Sequence, residues 1–195
     1  MFQPMMKLSR IMAYLGGAML TALILLTCVS VVGRSLNTFL HGDMMQGFAP
    51  GLSEFLLDRV GVGAINGDFE LIEAGIAFAI FAFLPLCHLT GGHATVDIFT
   101  SKMSTRANRL LMMVTSVVFA AVLVLIAVQL YAGTASKFKT GQTTLLLEFP
   151  IWRAYALSLV GAAIAAIVSV YVAIMRVFEA MRGYDILPTQ AGAEH

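Results

Sequence analysis

Residues 110–136 read LLMMVTSVVFAAVLVLIAVQLYAGTAS, a run of 27 residues that contains no Asp, Glu, Lys, Arg or His. As an α-helix this run would be about 40 Å long, at 1.5 Å per residue, and would exceed the roughly 30 Å hydrocarbon core of a bilayer. The run therefore predicts a transmembrane helix that is tilted or that projects beyond the membrane.

Three further runs without charged side chains predict three more spans. They are residues 11–33, 74–87 and 154–175, and the second reaches spanning length when it is extended to 69–90. Because 59% of the chain is hydrophobic and only 12% is charged, a soluble domain of this size could not cover its surface with polar groups. The sequence thus predicts an all-α integral membrane protein, one domain over 1–182 with four transmembrane helices: TM1 about 11–33, TM2 about 69–90, TM3 about 110–136 and TM4 about 154–175.

The basic residues favour one orientation of these helices. With the N-terminus in the cytoplasm, seven Lys or Arg residues lie on the inner side and five on the outer side, and cytoplasmic loops normally carry the excess. We therefore expect both termini in the cytoplasm, an extended outer loop over 37–68, and a polar, disordered inner tail over 183–195. The first apolar run is too long for a cleaved signal peptide, so we expect it to be retained as a helix that ends near Gly33.

Short amphipathic helices are expected at the membrane surface between the spans. Apolar residues recur at helical spacing within 53–60 and again within 96–103. At the start of TM2, Asp68 is a candidate helix cap, and Glu70 and Glu73 are placed to face the positive end of the helix dipole. That electrostatic role alone would justify both glutamates.

Two features of the spans are candidates for packing or for contact with a partner. Arg34, at the outer end of TM1, is either an anchor that reaches the lipid headgroups or a docking residue. TM4 carries small residues at strict four-residue spacing, which allow another helix to approach closely. This stripe packs either inside the chain's own bundle or against another subunit; its members are Gly161, Ala165, Ser169 and Ala173.

Several kinds of chemistry are disfavoured by the residue types present. The helix centres hold no charged residue, so a translocation site within this chain is not expected. Cys28 and Cys87 are single and lie on different helices, which argues against a thiol redox centre. A membrane-anchor subunit of a redox complex, similar to a b-type cytochrome, is the alternative that we retain, although His88 and His93 lie at one end of one helix and have no partner on another. We therefore expect no enzymatic activity, no metal and no cofactor.

The stretch CHLTGGHATVDIF, residues 87–99, interrupts the apolar pattern with two glycines and two histidines. We interpret it as a structural turn in which Gly91 and Gly92 let the chain leave TM2. Within it, GGHATVDIF resembles the segment that follows the second helix in the small membrane subunit, the DctQ-like subunit, of tripartite ATP-independent periplasmic (TRAP) transporters. The residues of this signature are Gly91, Gly92, His93, Val96 and Asp97. Further similarities are the acidic start of TM2 (ELIEA), the TGQTT hairpin, and FPIW before TM4.

The resemblance implies a noncatalytic small permease subunit of a sodium-coupled uptake system in the bacterial inner membrane. It implies two partners, a large permease subunit of the DctM type that binds sodium and solute, and a periplasmic solute-binding protein of the DctP type. In such a system the 37–68 loop is periplasmic, and we expect Arg34 and that loop to contact the binding protein. Membrane lipid is the remaining expected partner, and no nucleic acid is expected.

Overall fold

Four long helices form most of the protein. They are α1 (Phe2–Leu40), α2 (Asp68–Thr90), α3 (Thr105–Thr140) and α4 (Ile151–Arg182), and each is long and apolar enough to cross a membrane. The prediction of an all-α protein with four membrane-spanning helices is therefore confirmed. The computed structural model of the chain describes most of the sequence, namely residues 2–42, 45, 47, 51, 55–59, 61–92, 104–184 and 187.

Helix α1 does not end near Gly33, as we expected, but continues to Leu40. Residues 37–40, which we placed in the outer loop, are helical. Thr38 supports this extension because its Oγ1 donates to the carbonyl oxygen of Arg34, 3.0 Å away. Gly33 lies in the helix interior and has another role, because a Cβ atom there would overlap the carbonyl oxygen of Gly63. The glycine allows the loop to approach the helix.

Glycines in the left-handed conformation mark the helix ends. Gly91, Gly141 and Gly183 follow α2, α3 and α4 with φ angles of 67°, 62° and 78°, a conformation that residues with a Cβ atom resist. The start of α2 differs from our expectation, because Gly67 (φ 75°) is the N-cap and Asp68 is the first helical residue. The carboxylate of Asp68 is engaged in contacts outside the helix, described below.

The helices form an open layer in the order α1, α2, α4, α3. Helix α2 packs along both α1 and α4, and α4 packs along α3, whereas α1 touches α4 only locally. Helices α1 and α3 therefore form the two edges. We call the end of the layer that contains residues 141–150, between α3 and α4, the hairpin end, and the opposite end, where α1 begins and α4 finishes, the termini end.

Helix α4 forms the centre of this layer. Half of the residues in its most apolar 18-residue stretch are buried, compared with 11% of those in α1 and 17% of those in α3. Ala165 and Ala166 pack with Leu123 of α3, and Phe78 and Ala82 of α2 pack with Met12 of α1. The edge helices consequently leave long apolar faces uncovered, as expected for surfaces that meet lipid or another membrane protein.

The connecting segments are described in part. A single π-helical turn covers Phe55–Arg59 within the expected 53–60 helix, and the remaining positions of that range lie outside the described residues. The expected 96–103 helix also lies outside them. The tail expected to be disordered has one buried residue, Leu187, which is 4% exposed and packs with Leu89, Val168 and Val172. At this position the apolar side chain joins the core, and residues 185, 186 and 188–195 of the tail lie outside the described residues.

Candidate functional site

A polar cluster at the hairpin end joins α1 to the start of α2. Ser30 is fully buried, and its Oγ donates to Asp68 Oδ2 at 2.5 Å while it accepts from the backbone N–H of Ile65 at 3.3 Å. Asp68 Oδ1 accepts from the N–H of Phe69 at 2.8 Å. Hydrogen bonds to a charged acceptor are stronger than neutral ones. We call Ser30 and Asp68 the latch, because they hold α2 against α1.

Arg34 lies one turn beyond Ser30 on α1 and borders the latch. Its Nη2 is 3.6 Å from Asp68 Oδ2, and its guanidinium lies 5.9 Å from the ring centroid of Phe69. The Arg34 side chain is nevertheless 55% exposed, whereas that of Asp68 is 10% exposed. Because more than half of its side chain is exposed, Arg34 is accessible to another molecule while it lies beside Asp68.

Residues 61–67, which precede α2, lie directly on the hairpin-end part of α1. Asn37 Nδ2 donates to the carbonyl oxygen of Val62 at 2.8 Å, and the close approach of Gly63 requires the missing side chain of Gly33. Sequence reasoning missed these contacts. The signal available was the apolar run broken by Gly33 and followed by Asn37, but their partners are about 25 to 30 residues away along the chain.

Glu70 clamps the hairpin that joins α3 to α4. Its two carboxylate oxygens accept from the backbone N–H groups of Leu146 (2.8 Å) and Leu147 (3.0 Å). The Leu147 side chain also covers Gly67, where a Cβ atom would overlap Leu147 Cγ. Glu70 thus binds another element, in addition to lying in the first turn of α2. Glu73, one turn further along, is exposed.

The hairpin is held by bonds between its two arms. The N–H of Thr144 donates to the carbonyl oxygen of Phe149 at 2.9 Å, and the N–H of Phe149 donates to Thr144 Oγ1 at 3.1 Å. Leu145 and Leu146 at its tip are 96% and 61% exposed. This end of the protein therefore presents a fixed loop with apolar side chains and the exposed guanidinium of Arg34.

The small-residue stripe of α4 lies inside the helix layer. Gly161 is buried, and a Cβ atom there would be 3.0 Å from the Cβ of Phe81 on α2. The other members of the stripe are buried too: Ala165 (0% exposed), Ser169 (1%) and Ala173 (8%). Of the two alternatives left open by the sequence, the structure places this stripe in packing within the chain.

The signature turn is described only as far as Gly92. Gly91 adopts the left-handed conformation, and the N–H of Gly92 donates to the carbonyl oxygen of Cys87 at 2.8 Å, which completes the end of α2. A Cβ atom on Gly92 would make only ordinary contacts, so Gly91 is the position whose φ requires glycine. His93, Val96 and Asp97 lie outside the described residues.

A second polar cluster, which sequence reasoning also missed, lies at the termini end. Glu179 is 2% exposed and accepts from Arg176 Nη1 at 2.7 Å, and its other oxygen accepts from the N–H of Leu187. A buried carboxylate needs such partners because desolvation of an unpaired charge is costly. Glu179 therefore fixes Leu187 of the tail against the end of α4.

Grouped metal ligands are not found in the part of the chain that the structure describes: no three His, Cys, Asp or Glu side chains lie together there. His88 stacks on Phe119 of α3, with ring centroids 4.5 Å apart and an interplanar angle of 17°. Cys28 is exposed on α1, and Cys87 lies on α2. His88 therefore contributes to helix packing, and Cys28 lies on an exposed surface of α1.

Comparison with known proteins identifies the family. Residues 59–180, well over half of the chain, match a family model described as tripartite ATP-independent periplasmic transporters, DctQ component. The matched range includes α2, α3 and nearly all of α4. Searches of curated proteins and of solved structures found no match. The resemblance inferred from the sequence is confirmed, and the redox alternative is not favoured. The chain belongs to the DctQ component family and is a multi-pass membrane component of a tripartite transporter.

Proposed function

We propose that this chain is the small permease subunit of a sodium-coupled uptake transporter in the bacterial inner membrane. In this role it is a static scaffold for a large transporting subunit of the DctM type. The observation that carries the proposal is the open helix layer, whose edge helices α1 and α3 leave long apolar faces uncovered. Sodium and solute bind the large subunit.

The layer supports a scaffold role because its central helix, α4, is closely packed against its neighbours. A solute site within a membrane is an enclosed cavity lined by polar groups or broken helices near the midplane. The predicted spans carry no charged residue at their centres. The buried face of α4, the helix with the most extensive packing, consists mainly of small side chains. The uncovered apolar faces of α1 and α3 offer surfaces against which the large subunit packs.

The hairpin end supports docking of a periplasmic solute-binding protein of the DctP type. Residues 61–67, which precede α2, are tied to α1 by Asn37 and the latch, and the hairpin is tied to α2 by Glu70. Fixed loops lose little conformational entropy on binding, which favours association. The exposed side of Arg34 provides a positive charge for an acidic surface of the partner.

Reconstitution tests the scaffold proposal. Proteoliposomes that contain the large subunit, with and without this chain, are supplied with the binding protein and with an inward sodium or potassium gradient. We expect solute uptake only when both subunits and the sodium gradient are present. Full uptake by the large subunit alone contradicts the scaffold role, and equal uptake with potassium contradicts sodium coupling.

Substitution of Arg34 tests the docking proposal. In the same proteoliposomes, Arg34→Glu is compared with Arg10→Glu, which reverses an exposed charge at the other end of α1. We expect Arg34→Glu to lower uptake roughly fivefold at limiting binding protein, through weaker association, and Arg10→Glu to leave it unchanged. Excess binding protein should restore uptake. Unchanged uptake and unchanged affinity for the binding protein would exclude Arg34 from the docking surface.

A further inference from the structure

A cleft opens at the hairpin end between α2, α3 and α4. Its volume is about 330 Å³, at the lower end of the range for ligand sites. The wall on α2 runs from Glu70 to Phe81, roughly 16 Å along the helix at 1.5 Å per residue, and includes both Glu70 and Glu73. The opposite wall includes Phe149 and Ser158. The cleft is therefore an elongated groove directed from the hairpin end into the helix layer.

The polar groups of the cleft are arranged by depth. Glu73 lies at the rim, and no partner for its carboxylate is found among the described residues, in contrast to Glu70, which holds the hairpin. Ser158 lies deeper. Its side chain lines the cleft, and the residue is only 4% exposed. Phe81 is deeper still, because it faces Gly161, almost one turn beyond Ser158 on α4.

This order of groups matches one class of ligand. A carboxylate at the rim suits a cationic headgroup, a buried hydroxyl donor suits an ester carbonyl, and an apolar floor suits a hydrocarbon chain. Arg153 adds a cation beside the cleft, with its guanidinium 5.9 Å from the ring centroid of Phe149. A lipid with an ammonium, a phosphate and ester-linked chains carries all of these groups.

We propose that the cleft binds one aminophospholipid of the phosphatidylethanolamine type. Its ammonium pairs with Glu73, its phosphate lies toward Arg153, and an ester carbonyl accepts from the Ser158 hydroxyl. The first part of one acyl chain lies along Ala77 and Phe81. A lipid with an anionic glycerol headgroup is disfavoured, since it brings negative charge to Glu73 without an ammonium. The proposal does not depend on the scaffold role.

Native mass spectrometry of the full chain tests the proposal. The protein is delipidated in detergent and then supplied with an equimolar mixture of phosphatidylethanolamine and phosphatidylglycerol that have identical acyl chains. We expect the ethanolamine lipid to be retained over the glycerol lipid by roughly fivefold, as for one charge-assisted contact. Equal retention of the two lipids by the natural protein would overturn the proposal.

Substitutions in and outside the cleft test where the lipid binds. Glu73→Gln should bring the ratio of retained ethanolamine lipid to retained glycerol lipid close to one. Glu148→Gln, which removes another exposed carboxylate at the same end, should leave this ratio unchanged. Ala77→Phe should reduce retention of both lipids about tenfold by filling the groove, and Ala132→Phe, on the exposed surface of α3, should not. If Ala77→Phe lowers the melting temperature, Ala77→Leu replaces it. Retention unaffected by filling the groove would place the lipid elsewhere.

The complex with the large subunit provides the last test. We expect the ethanolamine lipid to be retained, with the same preference, when this chain is purified with the large subunit. Loss of the lipid on assembly would show that the cleft is a protein contact, and would overturn the assignment of a lipid site in the transporter. This outcome is distinct from failure of the scaffold proposal, in which no complex is recovered.

Discussion

At the residue scale, Gly33 shows how a tertiary contact reverses a local expectation. A glycine in a helix interior costs about 1 kcal/mol relative to alanine, and we expected one here to mark a helix end. The helix nevertheless continues to Leu40. Glycine is required at position 33 because the carbonyl oxygen of Gly63 lies where the Cβ atom of any other residue would be. This contact also positions the loop that carries Ile65, whose backbone N–H donates to Ser30 of the latch.

Substitution at Gly33 separates the low helix propensity of glycine from the space that the Gly63 carbonyl requires. We expect Gly33→Ala to destabilise the protein by about 1–3 kcal/mol, because the displaced backbone must move away from the new Cβ atom. Gly17→Ala, on the same helix with nothing within 4 Å of its added Cβ atom, should be neutral or stabilising by up to about 1 kcal/mol. Thermal unfolding in one detergent compares the two. Equal melting temperatures would show that the loop does not require this glycine.

At the element scale, the hairpin is organised by a side chain from another element. Its own bonds, between Thr144 and Phe149, close the turn, but Glu70 of α2 accepts from two of its backbone N–H groups. The acidic start of α2 was predicted from the helix dipole, which acts on any carboxylate in the first turn. That electrostatic effect does not distinguish Glu70, which clamps the hairpin, from Glu73, which is exposed.

The two glutamates make a matched pair for an exchange experiment. Glu70→Ala should accelerate hydrogen exchange at Leu146 and Leu147 roughly tenfold, because the N–H groups lose a charged acceptor. Glu73→Ala should leave exchange there unchanged. Mass spectrometry of peptides from the hairpin measures both. Equal protection in the natural protein and the Glu70 variant would indicate that the hairpin holds itself without the clamp.

At the scale of the whole molecule, close packing determines how the helices are arranged. Four spans can form a closed bundle or an open layer with the same apolar composition, since lipid provides no hydrophobic force between helices. Here small residues select the neighbours: Gly161 of α4 meets Phe81 of α2, and Ala165 packs toward Leu123 of α3. The small-residue stripe thus places α4 in the middle.

Gly161→Leu tests whether this packing maintains the layer. We expect destabilisation of about 1–3 kcal/mol, because the new side chain meets Phe81 and the backbone of α2. Val160→Leu, at a position 54% exposed, is the control and should have little effect. Melting temperature and co-purification with the large subunit are measured together. A normal melting temperature with lost co-purification would instead assign the stripe to the subunit interface.

Much of the fold follows from the sequence alone, for a local reason. The number of helices depends on the length of the apolar runs, and the end of α2 depends on Gly91, whose left-handed conformation is a property of the residue itself. The signature after α2 likewise indicates the family through the identity and spacing of its residues. These features depend on neighbours within a few positions along the chain.

Tertiary structure alone decided which residues meet. Ser30 finds Asp68 38 positions away, Glu70 finds Leu146 76 positions away, and Glu179 fixes Leu187 of a tail that was expected to be disordered. The layer order was also decided at this level. Such partners are set by the packing of whole helices, so composition and periodicity, which describe each helix separately, carry no information about them.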